Sequence, residues 1–191
     1  MNKYIAIEGI DGCGKTTILK ELKSIYHSDK TVEFVKTPLE PFRMLVKEVW
    51  DFPLFDRFIF FAASNSYFSN AADSEKVYVL DRFIYSTFVT HLQLEKERVH
   101  DDLLVQIIAN MKLTPASTFL LRVSKTEIRR RLSDRNNKID NALDIDRLYD
   151  LYYDSPTTDL GEIVELRNEN PSDLIKNIRI IQEKINQLKN T

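Results

Sequence analysis

Gly9, Gly14, Lys15 and Thr16 stand at the spacing G-x-x-x-x-G-K-[ST]. In such a run the glycines, lacking Cβ atoms, let backbone N–H groups turn inward onto phosphate oxygens. Gly9, Ile10, Asp11, Gly12, Cys13, Gly14, Lys15, Thr16 and Thr17 are therefore expected to wrap the phosphates of a nucleotide. The Lys15 ammonium is placed to reach the β- and γ-phosphates, and the Thr16 hydroxyl to sit on Mg²⁺. A helix opening at that point adds its positive dipole end to the same anion.

A second chemical group follows at the end of the short apolar run 76–80, where Asp81 and Arg82 stand side by side. The carboxyl end of a strand is where ligands bind in open parallel sheets. Asp81 there can hold a hydrated Mg²⁺ or orient an attacking oxygen, while Arg82 can grip a second phosphate through a fork of N–H bonds. Arg129, Arg130, Arg131 and Arg135 lie on one charged helix, and three consecutive arginines must point three ways, so at least one is an ordinary solvated charge. His27, His91 and His100 show neither triad nor metal-ligand spacing. What these residues offer is phosphoryl transfer by alignment and charge stabilisation, without a histidine or cysteine base.

Positioning these groups takes strands and helices in alternation. Strands are expected at 4–7, 31–35, 76–80, 117–123 and 161–166, separated by helix-like segments. The pattern implies an α/β fold, a five-stranded parallel sheet with helices on both faces. Ile18, Leu19, Leu22 and Ile25 place an apolar stripe on the helix after the glycine loop. Pro41 suits the first turn of a helix through Trp50. Phe58, Phe61, Ala62 and Asn65 recur at helical spacing within an aromatic stretch at 52–68. Most of that stripe should face the core or a subunit interface, and one flat ring is a candidate wall for a nucleobase. Ser124-x-x-Glu127 reads as a capping box opening the arginine helix, which should stop at Asn136-Asn137. Residues 136–145 are polar and lack an apolar period, which suits a mobile lid. A helix at 146–153 turns Leu148, Leu151 and Tyr152 inward. Asn170-Pro171 caps a last helix with Leu174, Ile178, Ile181, Ile185 and Leu188 as its seam.

The chain has 191 residues, 43% of them hydrophobic, enough for one sizeable core, so a single domain over 1–191 is expected. Lys plus Arg at 27 nearly balances Asp plus Glu at 29, which leaves no field to hold nucleic acid or an anionic membrane. The one cysteine, Cys13, cannot form an intrachain disulfide and suits a reducing cytoplasm. No apolar run approaches the length needed to span a bilayer, so no membrane partner is expected.

Four stretches carry a resemblance over nearly the whole length. They are Ile5-Ala6-Ile7-Glu8-Gly9-Ile10-Asp11-Gly12-Cys13-Gly14-Lys15-Thr16-Thr17, Phe61-Ala62-Ala63, Asp81-Arg82-Phe83, and Thr114-Pro115 ahead of Thr118-Phe119-Leu120-Leu121. In these the chain resembles the thymidylate kinases, P-loop nucleoside monophosphate kinases. The resemblance implies ATP as phosphoryl donor, Mg²⁺ at Thr16 and Asp81, dTMP as acceptor and a homodimer. It implies Lys15, Arg82 and Arg135 as the catalytic cations, with Arg82 on the acceptor phosphate and Arg135 as the lid arginine. For the acceptor it implies Asp11, Phe61, Asn65, Arg82 and Thr87, with Asp11 near the sugar 3′-hydroxyl and Phe61 stacked on the base.

The chain also departs from that family. Asn65 stands where an arginine usually donates to a thymine carbonyl, and Thr90 where an aromatic residue helps exclude a ribose 2′-hydroxyl. Lys36-Thr37-Pro38 replaces Arg-Glu-Pro, and Gly12 and Cys13 fill the loop where some relatives carry an arginine. Phosphoryl transfer is untouched by these changes, while Asn65 and Thr90 lead to an expectation of relaxed base and sugar selectivity toward the acceptor. Two rivals stand beside the reading. A kinase of free deoxynucleosides would need a carboxylate base, for which Glu8 is the nearby candidate. A GTPase-type switch would use Asn137-Lys138-Ile139-Asp140 as a guanine-reading N-K-x-D run, but that run follows a charged helix and lacks a companion D-x-x-G.

Overall fold

The computed structural model describes residues 3–91, 101–111, 113–134, 144–154 and 160–191. Along the chain the elements are β1 (Tyr4–Glu8), α1 (Lys15–Ile25), β2 (Val32–Lys36), a 3-10 turn (Phe42–Leu45), α2 (Val46–Val49), α3 (Leu54–Ala71) and β3 (Val77–Asp81). They continue through α4 (Ile84–His91), α5 (Asp101–Asn110), β4 (Ser117–Arg122), α6 (Lys125–Ser133), α7 (Ile145–Tyr153), β5 (Ile163–Arg167) and α8 (Pro171–Lys189).

The five strands form one parallel sheet in the order β2-β3-β1-β4-β5. Every residue of β1 is buried, as befits a central strand covered on both faces. From β1 the chain winds outward to β2 and back to β3 on one side, then crosses to β4 and β5 on the other, so the winding reverses beside β1 and opens a crevice at its carboxyl end. The glycine loop fills that crevice. Ile7 pairs with Asp81, and the Arg82 backbone N–H donates to Ile7 O at 3.1 Å, so the sheet register carries Arg82 to the loop.

Packing holds α3 and the start of α4 against β1. Tyr4 meets Phe68 and Phe83 edge to face at 5.4 Å each, and Phe68 meets Tyr78 at 5.3 Å. Such pairs add about 0.5–1.5 kcal/mol each beyond their buried area. Phe83 directly follows Arg82, so this cluster fixes the backbone from which the guanidinium projects.

Several local expectations need correction. Ile25 is 47% exposed, because α1 ends there and only Ile18, Leu19 and Leu22 turn inward. Pro41 precedes a 3-10 turn and the short α2 instead of one helix through Trp50. Ser124 accepts from the Glu127 N–H, but the Glu127 carboxylate pairs with Arg130 and Arg131, so the box closes on one side only. The complete capping box lies at Asn170 and Asp173, opening α8 with Pro171 in its first turn. Helix α6 closes at Ser133, ahead of the expected Asn136 stop. Arg135, the N-K-x-D run and the lid, apart from Asp144 and Ile145, lie outside the described residues.

Candidate active site

The glycine loop takes the conformation its residues require. Gly9, Gly12 and Gly14 hold φ values of 136°, 87° and 100°, a region that side-chain-bearing residues rarely enter. A Cβ on Gly14 would also run into the Asn168 side-chain amide, which donates to Cys13 O at 2.8 Å from beneath the loop. Ile10 and Cys13 are buried and contribute backbone, the Cys13 N–H donating to Ile10 O at 3.2 Å. The Lys15 ammonium folds back, donating to Gly9 O at 2.7 Å and Ile10 O at 3.0 Å. Burial, then the nearby Arg82 charge, pushes its pKa down, which a bound polyanion would reverse.

Arg82 occupies the facing seat. Its φ of 66° is a left-handed conformation costing about 1–2 kcal/mol for a residue with a Cβ. The side chain is held on all sides. Nη1 donates to Ser86 Oγ and Tyr152 Oη at 2.9 Å each and to Gly9 O at 3.2 Å, while Nη2 meets Asp11 Oδ1 at 2.5 Å. Burial acts against the charge, but Tyr152, Asp11 and Glu8 outweigh it and keep the guanidinium protonated. Tyr152 in turn donates to Ser86 Oγ at 3.0 Å, and Ser86 Oγ donates to Glu8. Glu8 is wholly buried, also accepting from the backbone N–H groups of Phe83 at 2.6 Å and Ser86 at 3.1 Å. It thereby caps the start of α4, and burial raises its pKa.

Three cavities meet along the sheet edge. A small one of about 110 Å³ is bordered by Lys15, Thr16, Lys36, Asp81, Asp11 and Arg82. A larger one of about 460 Å³, walled by Phe61, Phe83, Thr87, Thr90, Leu148 and Tyr152, shares Asp11 and Arg82 with it. On the other side a cleft of about 460 Å³ lies between α6 and the β5–α8 turn and shares Gly12 and Gly14 with the small cavity. The three consecutive arginines of α6 spread to different partners, although Arg130 and Arg131 share Glu127. Arg129 pairs with Asp146, Arg130 with Glu127 and Asp134, and Arg131 reaches Gly12 O at 3.3 Å and the carbonyls of Asn168 and Glu169.

Most of the residues singled out in the sequence thus converge. Thr16 and Asp81 border the small cavity, supplying the hard oxygen donors that suit Mg²⁺, which takes few protein ligands beside substrate phosphates. Thr17 borders the cleft, and Thr87 the larger cavity. Asn65 does not border the cavity: it is 2% exposed and its amide donates to Thr87 Oγ1 at 3.3 Å. Phe61 does wall the cavity, but one face of its ring is stacked on His91, with centroids 4.9 Å apart. Sequence reasoning missed Trp50, Arg57 and Asn168 as residues bordering these cavities, set His91 aside for its spacing, did not single out Arg131 among the arginines of its helix, and took Tyr152 for core. Asn168 directly follows β5, and Arg57 lies one turn before Phe61 on α3, so strand-end and helix-period signals pointed to both.

A family model described as thymidylate kinase matches residues 7–177. The chain is 29% identical to a thymidylate kinase of Mycoplasma genitalium over 160 residues, which span 75% of this chain and 74% of that protein. Among solved structures, a thymidylate kinase from Ehrlichia chaffeensis superposes with a TM-score of 0.65 at 20% identity, covering 95% of this chain and 97% of that one. A deoxyadenosine kinase from M. mycoides superposes with a TM-score of 0.64 at 20% identity, covering 97% of this chain and 100% of that one.

Proposed function

The chain belongs to the thymidylate kinase family, and from that premise we propose that it transfers the terminal phosphoryl group of ATP to dTMP, giving ADP and dTDP. The observation that carries the reading is the shared edge: Asp11 and Arg82 border both the glycine-loop cavity and the larger apolar one. Two anion seats on one edge let a single phosphorus pass between them without either nucleotide moving far.

A phosphate oxygen of dTMP attacks the terminal phosphorus of ATP, the bond to the bridging oxygen breaks, and ADP leaves with that electron pair. The acceptor phosphate is already a competent nucleophile, so the protein supplies alignment and charge. Lys15 exchanges the Gly9 and Ile10 carbonyls for donor phosphate oxygens. Arg82, anchored through Nη1 and by Asp11 at one Nη2 hydrogen, turns its other Nη2 hydrogen to the acceptor phosphate. The base and sugar of dTMP occupy the larger cavity, with Asp11 near the 3′-hydroxyl, and the nucleoside of ATP occupies the cleft beside Arg131. Thr16 and Asp81 would hold Mg²⁺, which when bound neutralises charge on the donor phosphates. Arg135, outside the described residues, is the cation assigned to the transferring group.

The assembly proposed is a homodimer in the cytoplasm. Met44, Leu45, Phe52, Ile59 and Tyr67 expose apolar side chains around α3 that a second copy would cover. No helix among the described residues is long and apolar enough to cross a membrane.

Glu8, the base expected for a deoxynucleoside kinase, is enclosed, bonded to α4 and away from the larger cavity, which favours dTMP over a free deoxynucleoside as acceptor. A coupled assay presenting dTMP, dUMP, UMP, dCMP, AMP and thymidine with ATP tests the reading. Turnover of dTMP above the others supports it, and turnover of another acceptor with none of dTMP overturns it.

A further inference from the structure

Arg57 and Phe61 are four residues apart on α3 and therefore share a helix face, the face that walls the larger cavity. The Arg57 guanidinium lies over the Trp50 ring at 5.3 Å, and Phe61 stacks on His91 beside it with ring planes 8° apart. No hydrogen bond or ion pair engages the Arg57 side chain among the described residues, and its Nε is buried without an acceptor. His91 Nδ1, in the same wall, is buried and has no partner among the described residues. Enclosed polar groups without partners are rare in folded proteins, because each carries its full desolvation cost. Two of them in one wall mark a place where a ligand supplies the missing atoms.

Asn65 cannot supply them. It stands where the family resemblance expects a base-reading arginine, yet it is buried against Thr87 and does not border the cavity. We infer that Arg57, two turns earlier on the same helix, is the specificity-determining residue that reads the acceptor base by donating to a ring carbonyl oxygen. The inference rests on the reading of the larger cavity as the monophosphate site.

Guanidinium chemistry then sets the class of base. Arginine carries N–H donors and no acceptor. It complements the C4 carbonyl oxygen of thymine and uracil or the C6 carbonyl oxygen of guanine. Against the exocyclic amino group of cytosine or adenine it sets donor against donor. The site should therefore favour bases with a carbonyl where cytosine and adenine carry the amino group, and the loss of one charged hydrogen bond should appear as a change in preference, not as a uniform loss.

Equilibrium titration of the full chain with dTMP and with dCMP tests this, since the two share phosphate and deoxyribose. The wild type should bind dTMP about tenfold or more tighter than dCMP. Arg57→Ala should weaken dTMP by about tenfold or more and leave dCMP nearly unchanged. Arg57→Lys, which keeps a cationic donor, should retain part of the preference and serves as the readout should the alanine variant fold poorly. Equal weakening of both ligands, as a phosphate contact or a structural role would give, overturns the inference. So does a wild type that binds dCMP as well as dTMP, or variants with unchanged preference. Failure of the underlying reading looks different: no phosphoryl transfer to dTMP by the wild type, whatever the binding ratio.

Discussion

Arg82 Nη2 and Asp11 Oδ1 meet at 2.5 Å between the glycine loop and the start of α4, joining two segments far apart in sequence. The contact places a guanidinium beside the phosphate cradle while Nη1 is fixed by Gly9, Ser86 and Tyr152. Arg82→Ala should lower kcat/KM for dTMP by about 10²–10³-fold, the scale seen when one donor to developing charge is removed. Arg82→Lys should recover little, because a single ammonium cannot span the same acceptors. Steady-state kinetics with dTMP varied at saturating ATP checks this; an unchanged profile removes Arg82 from the site.

Tyr152 positions Arg82 without needing to touch either nucleotide's phosphate. Burial pushes its phenol up to about 12, so the hydroxyl keeps its proton at any working pH and can donate to Ser86 while accepting from Arg82. Tyr152→Phe should cost about 1 kcal/mol in urea unfolding. It should raise KM for dTMP while leaving KM for ATP unchanged. Equal rises in both KM values would contradict the positioning role.

Glu8 belongs to the framework. Its carboxylate accepts two backbone N–H bonds at the start of α4 and the Ser86 hydroxyl. Glu8→Gln should destabilise the fold by about 1–3 kcal/mol, the desolvation cost of an enclosed polar group left badly paired. A Glu8→Gln protein of unchanged stability that had lost turnover of a free nucleoside would instead identify Glu8 as a base.

His91 makes stability depend on pH below neutrality. Burial, then the Arg57 charge, lowers its pKa from 6.5 to about 4. The unfolded chain thus takes up a proton before the folded one does. The stabilisation is complete above pH 6.5 and is lost as pH falls through about 4. Urea unfolding of wild type and His91→Gln across that window should show a steeper decline for the wild type. In Arg57→Ala the His91 titration, followed by NMR, should move back toward 6.5.

The placement of the chemistry at strand ends was legible in the sequence. The glycine loop and Asp81-Arg82 each follow a short apolar run, and parallel pairing of β1 with β3 brings them together. The base end of the cavity was less legible. Asn65 has the helical spacing of a site residue, yet its amide is held by Thr87, whereas Arg57 shares the Phe61 face one turn earlier. Periodicity names a face of α3 but not where along it the cavity lies. Tyr152 looked like core because it is core: it is 2% exposed, yet it borders the larger cavity and its hydroxyl accepts from Arg82. Such a dual role depends on the packing of α7 against α4, a long-range relation that no local pattern encodes.

The central claim is that donor and acceptor phosphates lie in adjoining seats bridged by Arg82 and the glycine loop. Binding of a bisubstrate analogue, adenosine and thymidine joined through a chain of phosphates, tests it most directly. The account predicts that it binds at least about tenfold tighter than ADP or dTMP alone and competes with both ATP and dTMP, as joined ligands do when both sites can be engaged at once. Affinity no better than either half, or competition with only one substrate, would contradict it.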